Sequence, residues 1–571
     1  MQNNEAINYG MVSFSPRWDD SRYAKPSTLA NIFKPQTFGS ASFMTVNEAI
    51  DLGLTQEGTD RKFCPYLGAF LLPKHHHDSI VEIFARSPSP IKKPHDDELQ
   101  AGVGNLITFG TTRSGKGSGQ ILTNLLSWEG SVFVLDVKGE NYFHSAGYRA
   151  TKMGQAVFRF APFEEHSHIW NPIMDIRASM NWAESTWKER CQEEEDARYL
   201  ANLIITSSGS VNDQFWEDTA KALLVGLLLH VRTAELTLNA ESLNDPDLQH
   251  KVRERSMSEV ARLIALKSDS FSSLLVDMSQ SERRLIRNVG NSFESFLSGE
   301  GKMGQSIKAM LLKQTEVWSY ERVQTATYKS STKPGDREPA PNDFNFTQMR
   351  DGNTSFYLII PPEYLSEYRS VLRVMIGCAI RELKNSHKQS KTDPDYVNKP
   401  PVLFMLDEFA QLAHMSPIEE GLAYLAGYDV RLWFFLQDIN QLKSNYPNSW
   451  ESFLANSEFK SFFGVNDINT AKLLSEMIGK TTVEQFSDTN GSSTSTASNY
   501  SETRSSNSSR TSTYTSRSLM TPDEIMHMPG NNQIVFFKGL KPIYLDLPKY
   551  YEFPSLKERS EIPPPQEIDF L

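Results

Sequence analysis

Gly110-Thr111-Thr112-Arg113-Ser114-Gly115-Lys116 decides how this 571-residue chain is read, together with Val402-Leu403-Phe404-Met405-Leu406-Asp407-Glu408 almost three hundred residues later. Leu106-Ile107-Thr108-Phe109, just ahead of the first stretch, reads as a short buried strand. The Gly110 to Gly115 interval lets backbone N–H groups turn inward around a phosphate before a helix begins, and Lys116 supplies a point charge to the β and γ phosphates of a nucleotide. Such loops normally continue with Ser or Thr, whose hydroxyl holds Mg²⁺; here Gly117 follows and the first hydroxyl is Ser118. The expected cradle therefore runs from Gly110 to Ser118, with metal positioning its weakest part. Taken alone, the loop could be a surface turn.

The second stretch removes much of that ambiguity. A run of large apolar residues suits a central parallel strand buried on both faces, and an acidic pair belongs there only at the strand end. In that position Asp407 is the expected Mg²⁺ ligand, alone or with Ser118, and Glu408 the carboxylate that orients and polarises the attacking water. A solvated strand terminus is the plainer alternative. Gln437 ends the next apolar run, Val430 to Leu436, where ring-forming P-loop motors place a polar side chain that senses the γ-phosphate; its ordinary role would be a strand cap. Lys116, Glu408 and Gln437 are thus the expected catalytic side chains.

Strand and helix signals alternate around these motifs. Gln120 to Trp128 has helical spacing, Ser131 to Leu135 reads as a strand ending at Asp136, and Ala156 to Phe160 as another. This is the rhythm of a mostly parallel α/β sheet. From about 178 to 340 the pattern becomes long, charged and amphipathic, clearest over Trp216 to Val231, and predicts an all-helical insertion. Strands resume at Ser355 to Ile360, Val402 to Leu406, Val430 to Leu436 and Phe459 to Val465. A sheet begun before the insertion and completed after it brings Lys116 and Asp407 together. The predicted organisation is an N-terminal segment 1–100, a nucleotide-binding domain in two parts (101–177 and 341–550), the insertion 178–340, and a disordered tail 551–571. Within the second part, Ser, Thr and Asn dominate 487–517, which predicts a mobile loop for want of apolar residues.

Other charged positions are less specific. Asp136, Lys138 and Glu140 alternate at a strand end and either line the cleft or form an exposed turn. Arg350, Arg373 and Arg431 lie near strand ends or helix starts and are candidates for an arginine offered to a neighbouring subunit's phosphates.

Composition narrows the function classes. A net charge of −12 argues against a protein that coats nucleic acid with its whole surface, although a local basic channel is compatible with it. No stretch approaches the roughly 20 apolar residues of a membrane span, and the polar start is no signal peptide, which predicts a cytoplasmic chain. Cys64, Cys191 and Cys378 are too scattered for a disulfide framework, and His75-His76-His77 reads as a polar loop rather than a metal site.

At this point the chain resembles the type IV secretion coupling ATPases, the TraG/TraD group of conjugative DNA transfer. The resemblance rests on the Thr-Arg-Ser-Gly-Lys-Gly form of the loop, Asp136-Val137-Lys138-Gly139-Glu140-Asn141, Asn171-Pro172, Phe215-Trp216, Leu406-Asp407-Glu408-Phe409 and Leu436-Gln437-Asp438. Gly39-Ser40-Ala41, Gln441-Leu442-Lys443 and Leu519-Met520-Thr521-Pro522-Asp523-Glu524 extend it from about residue 39 to 545. Gly117 is itself typical of the group. The resemblance implies a RecA-like P-loop domain interrupted by an all-α domain and assembled as a homo-hexamer with ATP and Mg²⁺ between subunits. It further implies that relaxase-bound DNA, single- or double-stranded, or a protein effector is handed to secretion-channel proteins. Members usually begin with two transmembrane helices, which this chain lacks, so a separate membrane anchor is expected, or a soluble branch of the group. A nucleotide-switched recruitment adaptor and a soluble DNA-translocating motor of a mobile element are the alternatives.

Overall fold

The computed structural model describes residues 39–52, 54, 65–71, 80–84, 104–206, 214–236, 245–298, 302–330, 339–390, 401–496 and 502–565. Cys64, the triple histidine, the linker-like Ser87 to Glu98 and the tail beyond 565 lie outside them. The described residues fall into two compact units, one within 39–42 and 475–521 and the other within 43–474 and 522–565.

The larger unit is built on one eleven-stranded sheet. Its strands, in chain order, are β1 (Tyr66–Leu71), β2 (Ile80–Phe84), β3 (Asn105–Gly110), β4 (Val132–Asp136), β5 (Ala156–Phe160), β6 (Thr354–Ile359), β7 (Val402–Leu406), β8 (Val430–Leu436) and β9 (Ser457–Phe463). After the strands of the smaller unit, β10 (Lys480–Thr496) and β11 (Glu502–Ser518), the sheet is completed by β12 (Asn532–Phe537) and β13 (Ile543–Asp546). The spatial order is β2-β1-β13-β12-β9-β3-β8-β7-β4-β6-β5. From β9 to β5 every neighbouring pair is parallel. On the other flank β12, β13, β1 and β2 add antiparallel. The apolar runs of β4, β7 and β8 are buried at every residue, as a sheet covered on both faces requires. Phe133 of β4 stacks on Phe404 of β7 with centroids 4.7 Å apart, a sheet-crossing aromatic contact in the core.

Between β5 and β6 the chain leaves the sheet. Among the described residues this excursion carries seven α-helices, from Trp187–Ile204 to Glu321–Thr327, and no strand. Because β5 and β6 are neighbours, the excursion departs from and returns to adjacent positions at one edge, which leaves the parallel heart uninterrupted. Among the described residues no helix is long and apolar enough to cross a membrane.

One buried arginine secures the heart of the sheet. Arg149, from the helix Glu140–Thr151, is 0% exposed. It donates to Leu125 O and Trp128 O at 2.8 Å, to Gly130 O at 2.7 Å and to Ser355 Oγ at 2.6 Å. It thereby satisfies the carbonyls left open where the helix behind the phosphate loop ends.

Two sequence expectations are corrected. Over its described residues the stretch 487–517, expected as a mobile loop, is a ladder: β10 and β11 pair antiparallel in register from Lys480↔Ser518 to Thr496↔Glu502. A two-stranded ladder pairs the facing backbone groups of its strands, and the β-branched Thr residues favour extended backbone. Arg510 lies over the Phe486 ring at 4.4 Å on this ribbon. Within the same unit Ala41 N donates to Lys480 O at 3.0 Å and Thr482 N to Gly39 O at 3.1 Å, so residues 39–41 extend the ladder. The second correction concerns 551–571: Pro554–Ser560 is a helix, and the chain is placed through Pro565. Arg559 donates to Leu126 O at 2.7 Å and covers the Tyr148 ring at 4.8 Å. Gly147 admits the Ile562 and Pro563 carbonyls where a Cβ would lie 2.2 and 2.1 Å from them.

Candidate active site

In a parallel sheet the loops at the carboxyl ends of the strands form the crevice where ligands bind. The order β3-β8-β7-β4 puts four of the predicted positions side by side along that edge. Phe109 pairs with Leu436, Phe434 with Leu406, and Leu406 with Leu135, so Gly110, Gln437, Asp407 and Asp136 emerge on one rim.

Beyond Gly110 the loop folds back on itself. Ser114 N and Ser114 Oγ donate to Thr111 O at 3.2 and 2.6 Å. Thr111 Oγ1 donates to Gly464 O at 2.8 Å and so braces the loop against the end of β9. Arg113 and Gly115 have φ of 62° and 103°; this alternation turns the N–H groups of the loop toward one point, as an anion nest requires. Lys116 then opens a π-helical turn to Ile121, which continues as α-helix Leu122–Leu125. Short π segments recur at functional sites. Gly117, where a Ser or Thr was missed, has nothing within 4 Å of the place a Cβ would occupy, so this face of the loop is open to a phosphate.

Lys116 is buried, and its Nζ makes no hydrogen bond among the described residues. It faces Glu408 Oε1 at 3.8 Å. The other oxygen of the same carboxylate, Oε2, accepts from Gln437 Nε2 at 3.1 Å. Glu408 itself sits in the left-handed region (φ 52°, ψ 41°), a costly conformation for a non-glycine residue and one that recurs at functional sites. Its N–H donates to Asp407 Oδ1 at 3.0 Å, which holds the two carboxylates in a set relation. Burial pushes the Asp407 carboxyl up to about 7, with Glu408 and Asp136 adding to the rise and Lys116 opposing it. A divalent cation beside Asp407 would offset that cost, and Mg²⁺ needs only one or two protein carboxylates when phosphates and water complete its shell. A buried ammonium without a hydrogen bond, an open loop face and an enclosed carboxylate therefore fit Mg²⁺ and a triphosphate. Lys116 would hold the phosphates, and Asp407, alone or with Ser118, the Mg²⁺.

Several supporting side chains carry no motif signal. Gln120, on the loop helix, accepts from Thr108 Oγ1 at 2.8 Å and donates to Ser461 Oγ at 3.0 Å and Gln533 Oε1 at 3.1 Å. Asn124, one turn on, accepts from Tyr66 N at 2.6 Å and donates to Tyr66 O at 2.9 Å, pairing with β1 as a strand would. Gln441 Oε1 accepts from Gln437 N at 2.9 Å and orients the strand end. Polar residues buried in an apolar sheet are a faint sequence signal; only their spacing behind the loop could have flagged them.

The other charged candidates sort differently. Asp136 is not in an exposed turn: it is 1% exposed and accepts from Tyr142 N at 2.8 Å and Asn141 Nδ2 at 3.3 Å, capping the helix that begins at Glu140. Burial pushes its carboxyl up to about 6. The three arginines are held inward by carbonyls of their own chain. Arg350 donates to Leu383 O at 2.6 Å, Arg373 to Ile204 O at 3.3 Å and Arg431 to Ala426 O at 3.1 Å. All three are buried in the single chain.

Residues 82–566 match the family described as Type IV secretory system Conjugative DNA transfer. The chain is 28% identical over 499 residues to the conjugal transfer protein TraG of Escherichia coli, covering 82% of this chain and 71% of that protein. It is 25% identical over 461 residues to VirD4 of Agrobacterium fabrum, covering 80% of this chain and 60% of that protein. Among solved structures, the plasmid coupling protein TrwB in complex with ADP and Mg²⁺ superposes with a TM-score of 0.51 at 12% identity, over 90% of this chain and 96% of TrwB. That likeness is one of fold, and the fold is the expected RecA-like P-loop α/β architecture. With the match spanning most of its length, the chain belongs to the type IV secretory system conjugative DNA transfer family.

Proposed function

We propose that this protein is an ATP-hydrolysing coupling protein, which takes up relaxase-bound DNA or a protein substrate and hands it to a type IV secretion channel. The observation that carries the reading is the convergence of Lys116 and Gln437 on the two oxygens of Glu408, beside Asp407. Lys116 exchanges Glu408 for the β and γ phosphates when ATP enters the loop. Glu408, so released, accepts the proton of the attacking water, and Gln437 registers whether the γ-phosphate is present by keeping or giving up its bond to Glu408. Asp407, alone or with Ser118, would hold Mg²⁺, whose charge would offset that of the phosphates. That TrwB, on the same fold, holds ADP and Mg²⁺ agrees with this.

The active form is a homo-hexameric ring, recruited to the inner face of the membrane by a partner, with the helical domain meeting the cargo. The kinship with TraG and VirD4 supports these partners. The test is steady-state ATP hydrolysis with and without single-stranded DNA over a range of protein concentrations. Turnover per subunit is expected to rise with concentration and with DNA, and to vanish in Lys116→Ala. Lys116→Ala protein that hydrolyses ATP as fast as wild type sinks the assignment; ATP binding without hydrolysis under every condition favours a switch-like adaptor.

A further inference from the structure

A second lysine lies against the phosphate loop. Lys549 follows β13 on a stretch that runs along the start of the loop helix: a Cβ on Gly119 would lie 2.8 Å from Leu547 Cγ, and a Cβ on Gly115 would lie 2.2 Å from Lys549 Nζ and 3.0 Å from its Cε. The ammonium is thus seated at the glycine that precedes Lys116, where φ is 103° and the space of a side chain is left free for it. Its Nζ is buried and, among the described residues, has no hydrogen-bond partner. Glu552 is near enough to favour the charged form, yet burial outweighs it and draws the lysine below its ordinary range.

An ammonium carries three donors, and leaving all of them buried and unmet is expensive. A fold that keeps such a group against an anion-cradling loop has its missing acceptor in whatever fills the loop. We propose that Lys549 is a second phosphate-binding lysine of this site, reaching the diphosphate of the bound nucleotide from the side opposite the Asp-Glu pair's strand. The inference rests on the reading that nucleotide binds at Lys116. It extends the site to a residue more than four hundred positions away, and it ties phosphate occupancy to the segment Tyr550–Glu552 and the helix Pro554–Ser560 that follow.

The sign of two measurements separates a ligand contact from a structural one. In Lys549→Met the chain length is kept and the unmet charge is removed, so the nucleotide-free protein should melt at the wild-type temperature or above. Its affinity for fluorescent ADP with Mg²⁺ should fall about ten-fold or more, as loss of a charge-assisted phosphate contact predicts, while Lys549→Arg keeps most of it. Lys549→Met protein that binds ADP within about two-fold of wild type, or that melts lower when nucleotide-free, overturns the proposal. Binding of ADP by wild type and its loss in Lys116→Ala, measured alongside, show that the underlying nucleotide reading stands whichever way Lys549 falls. Wild-type protein that binds no ADP removes both.

Discussion

Glu408→Gln should separate nucleotide binding from hydrolysis. The substitution keeps the shape of the side chain and removes the charge that Lys116 meets at 3.8 Å. At an effective dielectric near 20, two unit charges at that distance attract by about 4 kcal/mol, most of it offset by the cost of holding both groups partly out of water. A net ~1 kcal/mol is therefore released when Lys116 no longer has to leave a carboxylate for a phosphate, and ATP should bind as tightly as in wild type or up to about ten-fold tighter. Hydrolysis should fall by about 10²–10⁴-fold, or ~3–5 kcal/mol of activation free energy, because an amide cannot take the proton from water. The assays are equilibrium binding of a fluorescent ATP analogue and steady-state phosphate release on the same preparation. Turnover within about three-fold of wild type, or loss of binding together with loss of turnover, refutes the role assigned to Glu408.

Arg149→Leu removes four hydrogen bonds inside the core and should destabilise the protein by roughly 3 kcal/mol or more, read as a lower urea midpoint with an unchanged slope. Arg149→Lys should restore little, since one ammonium cannot reproduce the guanidinium's spread of donors. Acid should weaken the helical excursion through His230, whose imidazole burial draws down from 6.5 to about 4. The unfolded chain then takes up the proton first: stability is fully present above pH 6.5 and declines as pH drops toward 4, by up to about 3 kcal/mol from this residue. Thermal melts between pH 7 and 4.5 should show the decline, and His230→Gln should flatten it; an unchanged slope in that variant rejects the assignment.

The motif residues were legible because phosphate chemistry restricts them locally. The turn at Gly115, with φ of 103°, favours glycine, a Cβ on Gly110 would meet Phe463, and a strand-end acid pair announces itself by ending the apolar run Val402–Leu406. Gln437 was legible for the same reason. The carbonyl partners of Arg350, Arg373 and Arg431 were not, because they lie on segments distant in sequence or in a turn that no motif marks. The Ser/Thr-rich stretch misled because composition measures the lack of a core, whereas the ladder of β10 and β11 is held by backbone groups that every residue carries.

From sequence alone came the phosphate loop, the acid pair, the alternation of strands with a helical excursion, and the family. These are local patterns, set by backbone geometry and by side-chain periodicity. What tertiary structure decided is adjacency: that β8 lies between β3 and β7, so that Gln437 and Lys116 reach one carboxylate; that Gln120 and Asn124 lash the loop helix to β1, β9 and β12; and that Lys549 comes to rest on Gly115. Strand order follows from how buried faces and crossover connections close the whole sheet, a sum over distant segments that no single stretch of the chain contains.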